Sequence, residues 1–199
     1  LRTFHFVDEA LPPKTVKMFS RAIIERGIDI EWWGNIRFES AYTLDLALLM
    51  RRAGCVAVTG GLEAVTDSVL DRMNKGVSTQ SAILTCANFA QAGILTHTYL
   101  IYSFPGQTIQ EGVDALEILR QMYAAGVLHS SFWHRFSLTV HSPVAQNPEK
   151  YGVQFDATPA PFANNDLEYT GGGSIDQLGP GLKKANYNFM HGVGFDALV

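Results

Sequence analysis

Four times along this 199-residue chain a glycine ends a helix-like stretch and an apolar residue opens a strand-like run directly after it. The four sites are Glu-Arg-Gly-Ile at Gly27, Arg-Ala-Gly-Cys at Gly54, Gln-Ala-Gly-Ile at Gly93 and Ala-Ala-Gly-Val at Gly126. The residue just beyond a helix end turns into the left-handed conformation, which glycine takes without a Cβ penalty. Apolar residues at helical spacing stand in the stretches that alternate with the strands: Val16, Phe19 and Ile23; Leu44 and Leu48; Ile109, Val113, Leu116 and Tyr123. Strand-like runs lie at 3–8, 30–35, 55–60, 95–103 and 128–140. Successive units of roughly 25–40 residues are the size of βα repeats, which build parallel sheets. Five such strands fall short of a closed eight-stranded barrel, which takes about 250 residues. An open α/β sheet and a partial barrel both satisfy the pattern. After about Tyr151 the chain turns to Thr-Pro-Ala-Pro-Phe, Phe-Ala-Asn-Asn-Asp and Thr-Gly-Gly-Gly, an irregular extension over 151–199 with a terminal helix expected around Leu182–Met190.

Composition sets the outer bounds. At 47% hydrophobic, 17% charged, a formal net charge of −4 and mean hydropathy +0.05, the chain can bury a sizeable core and carries no general surface for nucleic acid. No apolar run approaches a membrane span and no signal-peptide pattern opens the sequence. Neither a membrane nor a nucleic-acid partner is expected. Cys55 and Cys86 form neither a disulfide framework nor a metal-ligand motif by spacing, and a reducing cytoplasm is the default location. The chain begins at Leu1 and enters a strand within two residues, so it is expected to be a piece of a longer protein.

Parallel α/β folds bind ligands where the βα loops leave the carboxyl ends of the strands. Those ends read Val-Asp-Glu-Ala-Leu-Pro-Pro, Gly-Asn-Ile-Arg-Phe-Glu-Ser, Thr-Gly-Gly-Leu-Glu-Ala-Val-Thr-Asp, Tyr-Ser-Phe-Pro-Gly-Gln-Thr and Thr-Val-His-Ser-Pro-Val. They collect Asp8, Glu9, Asn35, Arg37, Gly60, Gly61, Glu63, Ser103, Gln107, His141 and Ser142, while the opposite ends carry only Ile28, Cys55, Ile94 and Val127. Each polar residue has a plainer role as a helix cap or solvated charge, but their gathering on one rim marks a site. Gly60-Gly61 suits a tight turn better than a phosphate loop, since no GxGxxG or Walker pattern follows. His5, His97 and His134 lie inside strands without metal-ligand spacing and read as core or barrel-lining residues; Trp32-Trp33 and Phe132-Trp133 read as packing. In Tyr99–Thr108 a buried strand runs into a Pro105-Gly106 turn, and Thr108 with Glu111 forms a capping box for the next helix.

Taken in order, these strand ends resemble the radical S-adenosylmethionine (SAM) enzymes, α/β proteins with a partial (βα)6 TIM-like barrel. The resemblance spans about residues 3 to 150 and implies about five of its parallel βα units, followed by the 151–199 extension. FHFVDEALP is similar to that family's second strand with its acidic end, and WWGNIRFES to the third, with Arg37 in the position of the motif arginine. AGCVAVTGGLEAVTDSVLDRMNKGVS resembles the fourth unit, and STQSAILTCANFAQAGI with YLIYSFPGQT the fifth. The Asp-Glu ending and the Gly-Leu-Glu-Ala turn lean toward cobalamin-associated subgroups, and Leu-Ile-Tyr-Ser-Phe-Pro-Gly-Gln-Thr also resembles oxygen-independent coproporphyrinogen oxidases.

What the resemblance implies can be carried over residue by residue. Asp8 and Glu9 are expected near the amino group of SAM, Arg37 and Glu63 along its ribose and carboxylate, and Lys75 as a further polar contact. The Ser103–Gly106 turn is expected to pass the adenine, with Ser103 in place of the family's usual glycine. The implied cofactors are SAM and a four-iron four-sulfur cluster, with cobalamin compatible with the subgroup lean. The implied partners are a small-molecule substrate and an electron donor such as flavodoxin or ferredoxin. The family's three cysteines, spaced CxxxCxxC after its first strand, have no counterpart here: Cys55 begins a strand at the wrong rim and Cys86 sits within a helix. The cluster ligands are therefore expected in the parent protein outside this chain, and the isolated chain is expected to be inactive. Two other readings compete: a cluster-less barrel that binds a nucleotide-like ligand or a protein partner, and an unrelated hydrolase or lyase using Asp8, Glu9 or His141 as acid-base groups.

Overall fold

The computed structural model describes residues 2–156, 165–197 and 199. Five strands alternate with helices: β1 (Thr3–Phe6), α1 (Pro13–Glu25), β2 (Glu31–Asn35), α2 (Leu44–Arg52), β3 (Cys55–Glu63), α3 (Asp67–Arg72), α4 (Thr79–Gln91), β4 (Leu95–Tyr102), α5 (Ile109–Ala124) and β5 (Ser130–Arg135). The strands pair in the order β1-β2-β3-β4-β5, every pair parallel. This strictly sequential order distinguishes a singly wound sheet, the arc of a barrel, from a doubly wound one, whose order reverses at a switch point.

All the large helices cover one face. Val16, Met50, Phe89, Leu119 and Phe189 form one buried cluster with Trp32, Val58, Leu62, Leu100 and Trp133 of the strands. The alternate strand positions, among them His5, Trp33, His97, Tyr99, Phe132 and His134, therefore project to the other, inner face. Each tryptophan pair is thus split, Trp32 and Trp133 being packed under the helices while Trp33 and Phe132 face inward. The expected barrel-lining role of His5, His97 and His134 agrees with this register.

The helix-closing glycines are all left-handed, with φ of 60° at Gly27, 87° at Gly54, 75° at Gly93 and 67° at Gly126. Their surroundings differ. A Cβ on Gly54 would lie 1.8 Å from the carbonyl oxygen of Ile30, whereas nothing stands within 4 Å of one on Gly27 or Gly126. At Gly54 the glycine admits the neighbouring strand itself, and its carbonyl accepts from the Trp32 backbone N–H.

Two expectations are corrected. Gly60-Gly61 is not a turn but the middle of β3, where a Cβ at Gly60 would fall 2.4 Å from the Ile36 carbonyl oxygen. Glycine is needed there because the loop after β2 crosses close over the strand. The run 128–140 is not one strand: β5 ends at Arg135, and β6 (Leu138–Thr139) instead pairs antiparallel with β8 (Asp166–Leu167).

Beyond β6 the chain forms short helices α6 (Pro143–Gln146) and α7 (Pro148–Tyr151), then β7 (Val153–Phe155), which pairs antiparallel with β9 (Tyr169–Gly171). A 3-10 turn (Asp176–Leu178) leads into α8 (Gly179–Met190), the expected terminal helix. Helix α8 packs on α5 and β5, where Asn186 donates to the Ser131 carbonyl (2.8 Å) and its amide oxygen accepts from the Ser131 hydroxyl. In the Phe-Ala-Asn-Asn-Asp stretch Phe162, Ala163 and Asn164 lie outside the described residues, and Asn165 and Asp166 run into β8. Among the described residues no helix is long and apolar enough to cross a membrane.

Candidate functional site

A cavity of about 500 Å³ opens at the carboxyl ends of β2 and β3, within the range of small-molecule and cofactor sites. Glu9, Asn35, Arg37, Gly61, Glu63, Lys75 and Tyr99 contribute to its lining, along with apolar Leu70, Val77 and Ala82. Of the residues expected to contact SAM, Glu9, Arg37, Glu63 and Lys75 thus meet in one cavity.

Glu63 is placed by a bulge. The Thr98 hydroxyl donates to the Gly60 carbonyl (3.0 Å) and accepts from the Leu62 N–H (3.0 Å), and the β3–β4 register shifts between Gly61 and Glu63. This takes Glu63 into the left-handed region at φ 58°, which is strained for a residue with a side chain. A Cβ at Gly61 would stand 2.4 Å from a Glu63 carboxylate oxygen, so the glycine leaves the room into which that carboxylate folds.

Lys75 arrives from the other side by a helix-ending device. Helix α3 stops with Asn74 at φ 54°; the Asn74 N–H donates to Asp71 and the Lys75 N–H to Leu70, the paired bonds of a Schellman motif. The Lys75 ammonium then donates to Glu63 at 2.8 Å, and Arg37 donates to the Lys75 carbonyl at 3.1 Å. With side-chain exposures of 38% and 22% the Lys75–Glu63 pair is open to a ligand. Asn35 draws the first loop in by donating to the Asp8 carbonyl (3.0 Å), while its own carbonyl accepts from Leu11. The cavity therefore offers two cations, two carboxylates and an amide around an apolar floor, a set suited to a zwitterionic ligand with hydroxyls.

Asp8 is held at the rim through its backbone, and Ser103 and Gly106 do not line the cavity. Ser103, buried at φ 60°, donates its hydroxyl to Asp176 (2.7 Å) and accepts from the Ile175 N–H (3.1 Å). The Gly106 N–H donates to the Gly172 carbonyl at 2.6 Å. The Tyr102–Gln107 turn is thus clasped by residues 172–176, a contact across some seventy positions that no local signal in the sequence announces. The capping box of Thr108 and Glu111 is present, and Glu111 also binds Arg72 (2.7 and 2.8 Å) and Ser68 (2.5 Å). Burial works against the Glu111 charge, but these bonds from Ser68 and Arg72 prevail and hold its pKa at about 2. His141 and Ser142 are also apart from the cavity: Ser142 caps α6, and His141 lies exposed in the turn before it. Of Asp8, Glu9 and His141, the cavity is lined by Glu9.

The clasp predicts a pH response. The Arg135 guanidinium and then the Ser103 hydroxyl hold the Asp176 carboxyl down to about 2 from its ordinary 3.8. A depressed carboxylate stabilises the fold above the unfolded pKa and stops doing so as pH falls through the folded one. Docking of residues 172–176 is expected to weaken between about pH 4 and pH 2. Asp176→Asn is expected to bring that weakening to neutral pH, seen as faster amide exchange at Gly106 and Ile175 with little change elsewhere.

Neither cysteine fits a metal centre. Burial pushes the thiols of Cys55 and Cys86 up to about 12, and among the described residues no group of three or more His, Cys, Asp or Glu could hold an ion. Both cysteines are expected to resist iodoacetamide at pH 8 in the folded chain and to react fully once it is unfolded, as read by mass spectrometry.

The family model of the Radical SAM superfamily matches residues 4–119. An uncharacterized methyltransferase of Pyrococcus horikoshii is 26% identical over 124 residues, covering 61% of this chain and 27% of that protein. Among solved structures, the radical SAM methyltransferase TsrM of Kitasatospora setae, with cobalamin and a [4Fe-4S] cluster bound, superposes with a TM-score of 0.64 at 14% identity. That alignment covers 94% of this chain and 43% of TsrM. Coproporphyrinogen III oxidase of Escherichia coli, a radical SAM enzyme, gives 0.56 at 14% identity over 84% of this chain and 43% of its own. The chain thus spans under half the length of each of these relatives, and these two structures share its fold. With a matching family model over more than half its length and the sequential parallel sheet to go with it, the chain belongs to the radical SAM superfamily.

Proposed function

We propose that this chain is the SAM-binding part of a radical SAM enzyme, with the cavity at the ends of β2 and β3 as the cofactor site. The observation that carries the reading is the convergence of Arg37 from the loop after β2, Glu63 from the end of β3 and Lys75 from the loop after α3 in a cofactor-sized space. Lys75 and Arg37 offer cationic partners for the methionyl carboxylate, Glu63 accepts from the ribose hydroxyls, and Glu9, with Asp8 at the rim, faces the amino group. Ser103 and Gly106 serve by fixing the turn beside the site through their bonds to residues 172–176. A reduced [4Fe-4S] cluster elsewhere in the parent protein would supply the electron for reductive cleavage of SAM held here by Arg37, Glu63 and Lys75.

The residues described here do not fit the cluster itself, so its thiolates belong to a part of the parent protein outside this chain, and the chain alone is inactive. An electron donor such as flavodoxin or ferredoxin, a cytoplasmic setting and a small-molecule substrate go with this reading. The methyltransferase names of the Pyrococcus and Kitasatospora proteins, and the cobalamin of TsrM, favour a cobalamin-assisted alkyl transfer as the parent reaction.

Equilibrium dialysis of labelled SAM against the chain tests the site. One weak, saturable site displaced by unlabelled SAM is expected; absence of saturable binding would remove the cavity from the account.

A further inference from the structure

The inner face of β4 and β5 carries a wall of rings next to the cavity. His97 and Tyr99 meet at 5.0 Å between centroids, Tyr99 and His134 at 5.9 Å, and Phe132 and His134 at 4.6 Å. Tyr99 and Phe132 are 40% and 49% exposed, so two aromatic faces stand uncovered on adjacent strands. The inner positions of both strands, alternating from Leu95 to Ile101 and from Ser130 to His134, hold no Asp, Glu, Lys or Arg. Arg135 is one position out of step and is spent on Asp176. A His97–Ser130 hydrogen bond at 2.7 Å adds a polar element, and burial draws the His97 pKa down, which favours a neutral imidazole. Tyr99 also lines the cavity, so wall and cavity are continuous.

We propose that this wall seats the second reactant, a planar, uncharged aromatic or heteroaromatic ring that lies against Tyr99 and Phe132 and turns a polar edge to the His97–Ser130 pair. A charged substrate would find no Asp, Glu, Lys or Arg at the inner positions of these two strands, and burying a charge without a partner is costly. A saturated one would gain area but not the preferred ring-on-ring geometry. Neutral imidazole and hydroxyl can both donate and accept, which suits an edge bearing N, NH or OH. The role as second reactant rests on the cofactor site proposed above, since Tyr99 joins the two.

The test titrates the chain with 2-naphthol and with decahydro-2-naphthol, the same skeleton and hydroxyl without the aromatic face, each with and without saturating SAM. The aromatic alcohol is expected to bind about tenfold tighter than the saturated one and to do so alongside SAM. Phe132→Leu, outside the cavity lining, is expected to abolish that preference with SAM affinity retained, and Phe132→Trp to restore it. Equal affinity for the two alcohols, or a preference that survives Phe132→Leu, overturns the inference and leaves the cofactor site standing. Competition between 2-naphthol and SAM would make the wall part of the cofactor site and also overturn it. A chain that takes 2-naphthol but not SAM overturns the cofactor reading, and with it the ring's role as second reactant.

Discussion

Lys75→Ala and Glu63→Gln should each weaken SAM binding by about ten- to a hundredfold while leaving the fold nearly as stable as before. The two halves of that expectation come from one geometry. The Lys75–Glu63 pair spans 2.8 Å but is partly exposed, and such pairs contribute about 1 kcal/mol or less to folding. Its value to a ligand is larger. Removing the ammonium leaves the Glu63 carboxylate facing an incoming methionyl carboxylate with only Arg37 to offset the repulsion. Hydrogen bonds to charged groups contribute about 1.5–3 kcal/mol, which is the stated range of affinity. Asn74→Ala should do part of the same damage indirectly, because its left-handed turn is what delivers Lys75. Dialysis for affinity and thermal melts for stability separate the two effects. A large drop in melting temperature with unchanged affinity would make the pair structural.

Gly54→Ala should be among the most damaging single-methyl changes in the chain, costing about 3 kcal/mol or more, whereas Gly27→Ala should cost about 1 kcal/mol. Both glycines are left-handed and both close a helix, so propensity alone predicts equal penalties. The difference is the Ile30 carbonyl, 1.8 Å from where the new methyl would be at position 54. Relief would require β2 to move off β3, yet Trp32, fully buried, is tied at that point by its indole N–H to the Ala53 carbonyl at 2.8 Å. Denaturant unfolding of the two variants side by side checks this. Equal losses would mean that the strand approach at Gly54 is readily relaxed.

The same comparison shows how far the sequence reaches. That a glycine ends each helix is a local matter of backbone conformation, legible in Glu-Arg-Gly-Ile as much as in Arg-Ala-Gly-Cys. That one of them also admits a neighbouring strand depends on register, which the sequence does not display. The rim of polar strand ends was legible because βα units alternate in a fixed sense, and it gave Glu9, Arg37 and Glu63; Lys75, which follows α3, was reached only through the resemblance. Gly60-Gly61 misled because two glycines between apolar runs read as a turn; here they answer to the loop crossing at Ile36 and to the folded-back Glu63 side chain. The sequence alone does not orient Tyr99, His134 and Arg135. Pairing decides that the first two face inward while Arg135 goes to Asp176. The Ser103–Asp176 clasp and the Asn186–Ser131 contact join positions far apart in the chain, and nothing at either end alone calls for the other.

The function proposed for this chain is binding SAM for reductive cleavage. It is tested by 5′-deoxyadenosine formation in the longer protein proposed to combine this chain with the cluster cysteines, reconstituted without oxygen and given dithionite and SAM. About four irons per protein are expected, with 5′-deoxyadenosine that appears with reductant and falls about ten- to a hundredfold at limiting SAM in Lys75→Ala and Glu63→Gln. A parent protein that binds SAM yet takes up no cluster and forms no 5′-deoxyadenosine would contradict it, and would make this a barrel that kept the cofactor's pocket without its chemistry.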